Sequence, residues 1–315
     1  MLVWYVGVHC QERGVDVARL NSNEISKRLS LVYSPLAGHS VSTLQSGDMA
    51  TLLCRQDEKI SVWYRKPIMS KWDLATCPPN VAFAARESEV WLRDLCVCLD
   101  VTRWINHPET NRLADNKLAQ LRLAKQFGFH IPETLVTNDP SEATSFMKSV
   151  APRRVIYKTL SHPFISETAD SFRSVYTSLV EMSPQVADSI RLAPCLFQEC
   201  IEKAYELRVT VVGGKVFAAR IFSQDHASRA IDWRRDQHKT ELRQELGTLD
   251  SRLEGLCVSL VKQFGLIFGA IDLIVTPEGE FVFLEINPNG QWLWIETVLG
   301  AKISEALVEE LTTPK

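Results

Sequence analysis

The chain has 315 residues, 45% of them apolar, which is enough to bury sizeable cores without covalent staples. Its 35 basic and 38 acidic residues leave a formal net charge of -3, and the longest basic clusters, Arg153–Arg154 and the mixed "WRRDQHK", are too short to track a polyanion, which disfavours bulk nucleic-acid binding. Eight cysteines are scattered with no CxxC pair and no Cys/His group at zinc spacing, so reduced thiols in a cytoplasmic protein are expected.

The opening "MLVWYVGVHC" lacks a basic leader, and "QERGVD" interrupts it far short of a membrane span. It reads as a first buried strand over residues 2–9, with no membrane partner. Short apolar stretches follow in "NEISKRLSLVY" and "TLLCRQDEKISVWYRKP". A helix is predicted in "NVAFAARESEVWLRDLCVCL" from the spacing of Val81, Phe83, Val90, Leu92, Leu95 and Val97. Together these suggest a small α/β domain over residues 1–105.

The segment "NHPETNRLADNKLAQLRLAKQFG" carries Leu113, Leu118, Leu121 and Leu123 at helical spacing and stops at Gly128, opening a second unit over 106–193. "IPETLVTND" reads as a strand, "PSEATSFMKSV" as a helix started by Pro140, and "RRVIYKTL" as another strand. From 194 to 315 the β signal dominates. "CLFQECI", then "ELRVTVVGGKVFAARIF" around a Gly-Gly turn, then a helix over roughly 248–264, lead to "GAIDLIVTPEGEFVFLEIN". No internal repeat is visible. The fold class expected is α/β, with α+β lobes behind the N-terminal domain.

The last stretch reads as a hairpin around Pro-Glu-Gly. A loop of even length would set Asp272 and Glu285 side by side on one face; a three-residue loop with a bulge would put them on opposite faces. Two carboxylates on one buried face repel unless a cation joins them. With the Asn287 amide they form an all-oxygen set suited to Mg2+. Alone, Glu285 would be an ordinary solvated acid at a strand end; the triad makes metal binding the better account. Because Mg2+ is commonly shared with substrate phosphates, a neighbouring nucleotide is expected.

"DLIVTPEGEFVFLEINPNGQW" resembles the metal-binding end of an ATP-grasp ligase, and its "NPNGQW" continuation resembles the graspetide (microviridin-type) synthetases that mature ribosomally made peptides. "SVWYRKP", "NHPETNRLADNKLAQLRLAKQFGFHIPETLVTNDP" and "FQECIEKAYELRVTVVGGKVFAARIFSQ" followed by "IDWR" agree, so the likeness covers most of the chain. It implies an ATP-grasp fold with an N-terminal pre-ATP-grasp domain, ATP and Mg2+ as cofactors, and Asp272, Glu285 and Asn287 as metal ligands. It also makes Lys117 and Lys158 the two phosphate-neutralising lysines. Taken alone, Lys117 reads as a solvated helix face and Lys158 equally as a snorkelling side chain.

The same resemblance makes "FQECIE" the strand joining the lobes, with Glu199 and Ile201 at the adenine, and Glu206 a candidate for ribose; a plain edge strand is the competing account. Arg208 and Arg220, on successive strands of the Gly-Gly hairpin, would be poor core residues but good partners for a γ-phosphate or acyl phosphate. Arg234 divides evenly between substrate contact and surface charge. Trp292 and Trp294 read as core by default, with lining of the active-site mouth as the alternative.

The activity implied is phosphoryl transfer to an Asp or Glu side chain of a precursor peptide, then attack by Ser, Thr or Lys to close an ester or amide ring. The partner implied is that ribosomal peptide, a leader plus an acidic core, with homodimerisation expected. One departure stands out. No glycine occurs from 129 to 212, where relatives often carry a Gly-rich phosphate loop, so Ser161, His162 and Ser166 are alternatives there. Two further readings stay open: a ligase of small amino acids or protein C-termini, and a non-catalytic nucleotide-binding module.

Overall fold

The computed structural model describes residues 2–17, 19, 29–34, 39–44, 60–66, 77–98, 101–160, 164–166, 172–235 and 242–313. The apolar opening segment is a helix, α1 (Leu2–Glu12), and not the predicted strand. A short, continuously apolar run does not distinguish the two by pattern. The tertiary context decides it: Val6 and Cys10, one turn apart, are buried in a shared cluster with Ala306 and Leu307. Gly14, at φ +73, ends the helix while Val15 N–H donates to Cys10 O at 3.1 Å.

A hairpin follows, β1 (Leu29–Ser34) with β2 (His39–Leu44), then β3 (Ser61–Trp63), which runs parallel to β4 (Arg103–Ile105). Between them lies the predicted helix, α2 (Pro79–Cys98). Of the residues expected to be buried, Val81 and Leu92 are partly covered, but Phe83 (64%), Val90 (42%) and Val97 (67%) stand in solvent; the buried positions are instead Ala82 and Cys96.

The long helical segment after β4 splits into α3 (Pro108–Ala114) and α4 (Lys117–Gln126). Asn116 causes the break, since its side-chain oxygen accepts from Ala119 N–H at 2.9 Å as an N-cap. The break sets Lys117 at the first position of α4.

Next come β5 (Thr134–Thr137), α5 (Pro140–Ser149), β6 (Val155–Lys158), the hairpin β7 (Phe164–Ser166) and β8 (Phe172–Ser174), β9 (Ser178–Val180), α6 (Pro184–Leu192) and β10 (Cys195–Glu199). The sheet order is β5-β10-β6-β9. β10 therefore lies inside the central sheet, and the chain leaves that lobe after Glu199 and not at the expected 193/194 division. Ala143, Val150, Val155, Ile190 and Phe197 form the core between this sheet and its helices.

The second sheet has the order β13-β12-β11-β14-β15. Its strands are β11 (Tyr205–Val212), β12 (Lys215–Ile221), β13 (Gln244–Gly247), β14 (Phe268–Val275) and β15 (Phe281–Asn287). β11 alternates strictly. Leu207, Val209 and Val211 pack with Leu121 of α4 and with Leu253, Cys257 and Leu260 of α7 (Ser251–Gln263). The intervening residues face the other side, where α1, α8 (Leu293–Leu299) and α9 (Ile303–Thr312) cover only part of the sheet. The remainder carries charge. Among the described residues no helix is long and apolar enough to cross a membrane.

Candidate active site

The register of the last hairpin resolves the placement of the carboxylates. Thr276 N–H donates to Glu280 O at 3.0 Å, leaving Pro277, Glu278 and Gly279 as a three-residue turn. By itself this parity would put Asp272 and Glu285 on opposite faces. The ladder instead shifts between Asp272 and Leu273: Leu273 pairs with Phe283, but Asp272 pairs with Glu285, so Leu284 is the extra residue of a bulge. The bulge restores the parity that the turn removes, and the two acids face each other after all.

Arg208 completes a row across three strands, since it pairs with Asp272 on β14, which pairs with Glu285 on β15. Arg208 Nη1 donates to Asp272 Oδ1 at 2.7 Å, and Arg234 Nη1 stands 3.9 Å from Glu285 Oε1. Burial, the largest influence, raises the Asp272 carboxyl; Arg208 opposes this and Glu285 adds to it. For Glu285 burial acts the same way but is outweighed by Arg234, then Lys117, Lys158 and Arg208, which hold it below the usual carboxylate range. The pair therefore has one acid kept ionised by four cations and one whose ionised form is costly without a further cation.

Those lysines come from the central lobe. Lys117 Nζ donates to Thr159 O at 2.6 Å, which brings the start of α4 to the end of β6, where Lys158 lies. Burial lowers the Lys158 ammonium; Glu285 opposes that, and Lys117 and Arg234 reinforce it. Glu285, Lys117, Lys158 and Arg234 thus share one cleft between the two sheets. Gln120, one turn along α4 from Lys117, grips Ile286, the residue between Glu285 and Asn287.

At the crossing between lobes, Glu199 does not turn its side chain to the cleft. Its Oε1 accepts from Glu133 N–H at 3.0 Å and its Oε2 pairs with Arg153. Its backbone N–H is engaged as well, donating to Glu133 O at 3.0 Å, and Ile201 lies just past the end of β10. Glu206 shares the Arg208 face and is buried against Lys203, with Ser223 Oγ donating to its Oε1 at 3.1 Å.

Arg220 is not part of the cluster. It pairs with Leu207, on the face opposite Arg208, and its guanidinium lies 5.5 Å from the Tyr205 ring centroid. Successive strands of one hairpin share a face only at aligned positions, and Arg208 aligns with Ala219. Ser161 and His162 lie outside the described residues. Trp292 is fully buried against Trp63, ring centroids 6.5 Å apart, and Trp294 packs on Trp233 at 6.1 Å.

Two groups that sequence reasoning missed complete the site. Arg65, from "SVWYRKP", donates to Gly290 O at 2.9 Å; burial, and next the Arg208 charge, bring its guanidinium down to about 10. Lys66 is lowered by burial, then by Arg65 and Arg208. The signal was the adjacent Arg-Lys after a half-buried strand. The second is Asp232, whose carboxylate orients Arg234 through Nε at 2.9 Å and Nη2 at 3.1 Å. On the far side of the central lobe is a separate cavity of about 410 Å³, lined by Met147, Arg153, Arg154, Val155, Leu179 and Met182.

A model of the RimK-like ATP-grasp domain matches residues 114–311, the span holding both sheets and Lys117, Lys158, Asp232, Asp272 and Glu285 of the cleft. The chain belongs to the RimK-like ATP-grasp family. This ATP-grasp ligase is also similar to solved structures over nearly its whole length. Macrocyclase MdnC of Microcystis aeruginosa MRC, bound with precursor peptide MdnA, is 28% identical with TM-score 0.81, covering 98% of this chain and 94% of that one. A RiPP-associated ATP-grasp ligase of Chryseobacterium gregarium, in complex with ADP and a leader and core peptide, is 28% identical with TM-score 0.84, covering 98% and 93%. Macrocyclase MdnB of Microcystis aeruginosa MRC is 29% identical with TM-score 0.75, covering 99% and 95%. No curated protein matches the chain by sequence.

A Mg2+ ion in this cleft would meet only oxygen donors in Asp272, Glu285 and Asn287. Asn287 Oδ1 already accepts from Asn289 N–H at 2.8 Å, which orients the amide and leaves one lone pair. Among the described residues no group of three or more His, Cys, Asp or Glu could hold a metal. Two carboxylates and an amide suit an ion that completes its shell with phosphate oxygens and water, as Mg2+ does.

Proposed function

We propose that this ATP-grasp ligase activates Asp or Glu side chains of a ribosomal precursor peptide as acyl phosphates, forming ADP, and closes ester rings with Ser or Thr or amide rings with Lys. The observation that carries this reading is the row Arg208–Asp272–Glu285 with Arg234 at its end: two guanidinium groups flank a carboxylate pair beside two lysines. The likeness to peptide macrocyclases across 98% of the chain supports a peptide over a small amino acid as acceptor.

Each residue has a role that follows from its chemistry. Lys117 and Lys158 would neutralise the phosphates of ATP, which explains a half-buried ammonium at the end of an apolar strand. The backbone at Glu199 and Ile201 would hold the adenine, and Glu206 would face the ribose. Arg208 and Arg234, with Arg65 beside them, would receive the substrate carboxylate and then the acyl phosphate, planar forks matching planar anions. Mg2+ held by Asp272, Glu285 and Asn287 would neutralise charge on the transferring phosphoryl group. No enzyme nucleophile is needed, because catalysis here is positioning and charge neutralisation. The apolar, basic-edged cavity on the central lobe offers a seat for the leader part of the precursor. The acidic core would enter the arginine-lined cleft. Homodimerisation, which rests on the family resemblance, and a cytoplasmic location, which rests on the scattered cysteines, belong to the same proposal.

The test is intact-mass analysis of small acidic, Ser/Thr/Lys-rich peptides encoded beside the gene, incubated with the protein, ATP and Mg2+. Loss of one water per ring with ADP formed in step is the expected result, and fragmentation then separates ester from amide. Unchanged peptides together with ATP consumption driven by free amino acids would overturn the peptide reading.

A further inference from the structure

The loop after β12 joins two features usually considered apart, the aim of a site arginine and the contact between lobes. Asp232 is 3% exposed and takes four N–H donors. Its Oδ1 accepts from Arg234 N–H at 3.1 Å and Nε–H at 2.9 Å, and its Oδ2 accepts from Arg234 Nη2 at 3.1 Å and from Thr177 N–H at 3.1 Å. Thr177 belongs to the other lobe. It immediately precedes β9, the edge strand of the central sheet. Arg235 closes the same grip from its other side, with Nη2 donating to Thr177 O at 2.9 Å and the guanidinium 5.4 Å from the Tyr176 ring centroid.

Both peptide groups of Thr177 are therefore held from the C-terminal lobe. The base of the loop is anchored there in turn, through Trp233 on Trp294. A carboxylate this buried is costly with any of its oxygens unpaired, so the Thr177 contact and the Arg234 contacts stand or fall together. Separation of the lobes would strip Thr177 N–H from Oδ2 and open the buried Asp232 carboxylate to water, loosening the fork it makes with Arg234.

We infer that Asp232 is a positioning residue that couples apposition of the two lobes to the placement of Arg234 over Glu285. The role of Arg234 toward the substrate rests on the proposed function; the coupling itself does not. With the lobes docked, Arg234 is aimed by two hydrogen bonds in one plane. With Thr177 released, that aim is lost.

The deciding experiment is hydrogen exchange by 15N NMR on the full chain, read at two protons, the Thr177 amide and Arg234 Nε–H, in wild type, Asp232→Asn, Arg235→Gln and Arg234→Gln. Asp232→Asn should speed exchange at both protons by about tenfold or more, while α7 amides keep wild-type protection. Arg235→Gln, which touches neither Asp232 nor Arg234 side-chain contacts, should loosen Thr177 and raise Arg234 Nε–H exchange with it. Arg234→Gln, which strips two side-chain donors from Asp232, should in turn speed Thr177 exchange, because a coupling through one carboxylate acts in both directions. Exposure of Thr177 by Arg235→Gln with Arg234 Nε–H still slow would overturn the coupling, as would wild-type exchange in Asp232→Asn. Where a precursor peptide is turned over, a cycle adds a second reading: Asp232→Asn should lower kcat about tenfold, and combining it with Arg234→Lys should slow the enzyme no further. Multiplying effects would mean that Asp232 does not act through Arg234. A failure to process any peptide would remove the proposed reaction while leaving the exchange result to stand or fall by itself.

Discussion

Gln120 and Ile286 bind each other as two strands would: Gln120 Oε1 accepts from Ile286 N–H at 3.0 Å and Gln120 Nε2 donates to Ile286 O at 2.8 Å. A side chain on α4 thereby substitutes for the neighbour that the outer edge of β15 lacks. It fixes Lys117, one turn back on the same helix, relative to Glu285 and Asn287, the residues on either side of Ile286. Replacing Gln120 by Leu keeps the volume but orphans two buried backbone groups, so Gln120→Leu should destabilise the protein by about 2–4 kcal/mol. Urea unfolding checks the value, and an unchanged midpoint would contradict the clamp.

The two hairpin arginines should behave differently. Arg208 lies in the row with Asp272, whereas Arg220 lies on the opposite face over Tyr205. Arg208→Ala should lower ADP formation by about a hundredfold, with the buried Asp272 left unpaired. Arg220→Ala should stay within about threefold of wild type, since it removes a partly exposed cation–π contact and nothing in the cleft. Steady-state assays on both variants decide it; equal losses would mean that the sheet faces do not divide the roles.

Arg65 reaches the site from the N-terminal domain, holding Gly290 O and standing near Arg208. Arg65→Lys should lower kcat/KM for the peptide by about tenfold and rescue little over Arg65→Ala, because an ammonium does not reproduce the planar fork. Full activity of the lysine variant would reduce Arg65 to a point charge.

Gly290 closes the turn that follows β15, its N–H donating to Asn287 O at 3.2 Å. An added Cβ would stand 2.3 Å from the Cβ of Ala270, with Asn287 O at 3.4 Å. Gly290→Ala must therefore push the turn away from β14, at about 1–3 kcal/mol of overpacking, and with it Asn287. The Mg2+ concentration for half-maximal ADP formation should rise, and Asn287→Ala should raise it further or abolish turnover. Titration of activity against Mg2+ measures both, and an unshifted titration in either variant would remove Asn287 from the donor set.

Much of the site was legible before any coordinates. A strand that ends on Glu-x-Asn, a hairpin partner carrying Asp272, and a lysine closing "VIYK" are local features, because strand periodicity and turn residues act within a few positions. The Asn116 cap, which divides one expected helix into two, was not foreseen. Where the local signal was ambiguous, the reading failed. Residues 2–9 carry an unbroken apolar run, and only contact with α9 makes it a helix.

Amino-acid identity by itself determined which chemistry the chain carries: oxygen donors, lysines and arginines in motifs specific enough to name a family. Tertiary structure alone decided which of them meet. A bulge at Leu284 put Asp272 beside Glu285 despite an odd turn, strand pairing sent Arg220 to the other face, and the packing of distant segments brought in Arg65 and set Thr177 against Asp232. The reason is that register and sheet face depend on every residue between two positions and on what packs behind them, so a single inserted residue reverses the outcome. Partners distant in sequence leave no trace at either position taken alone.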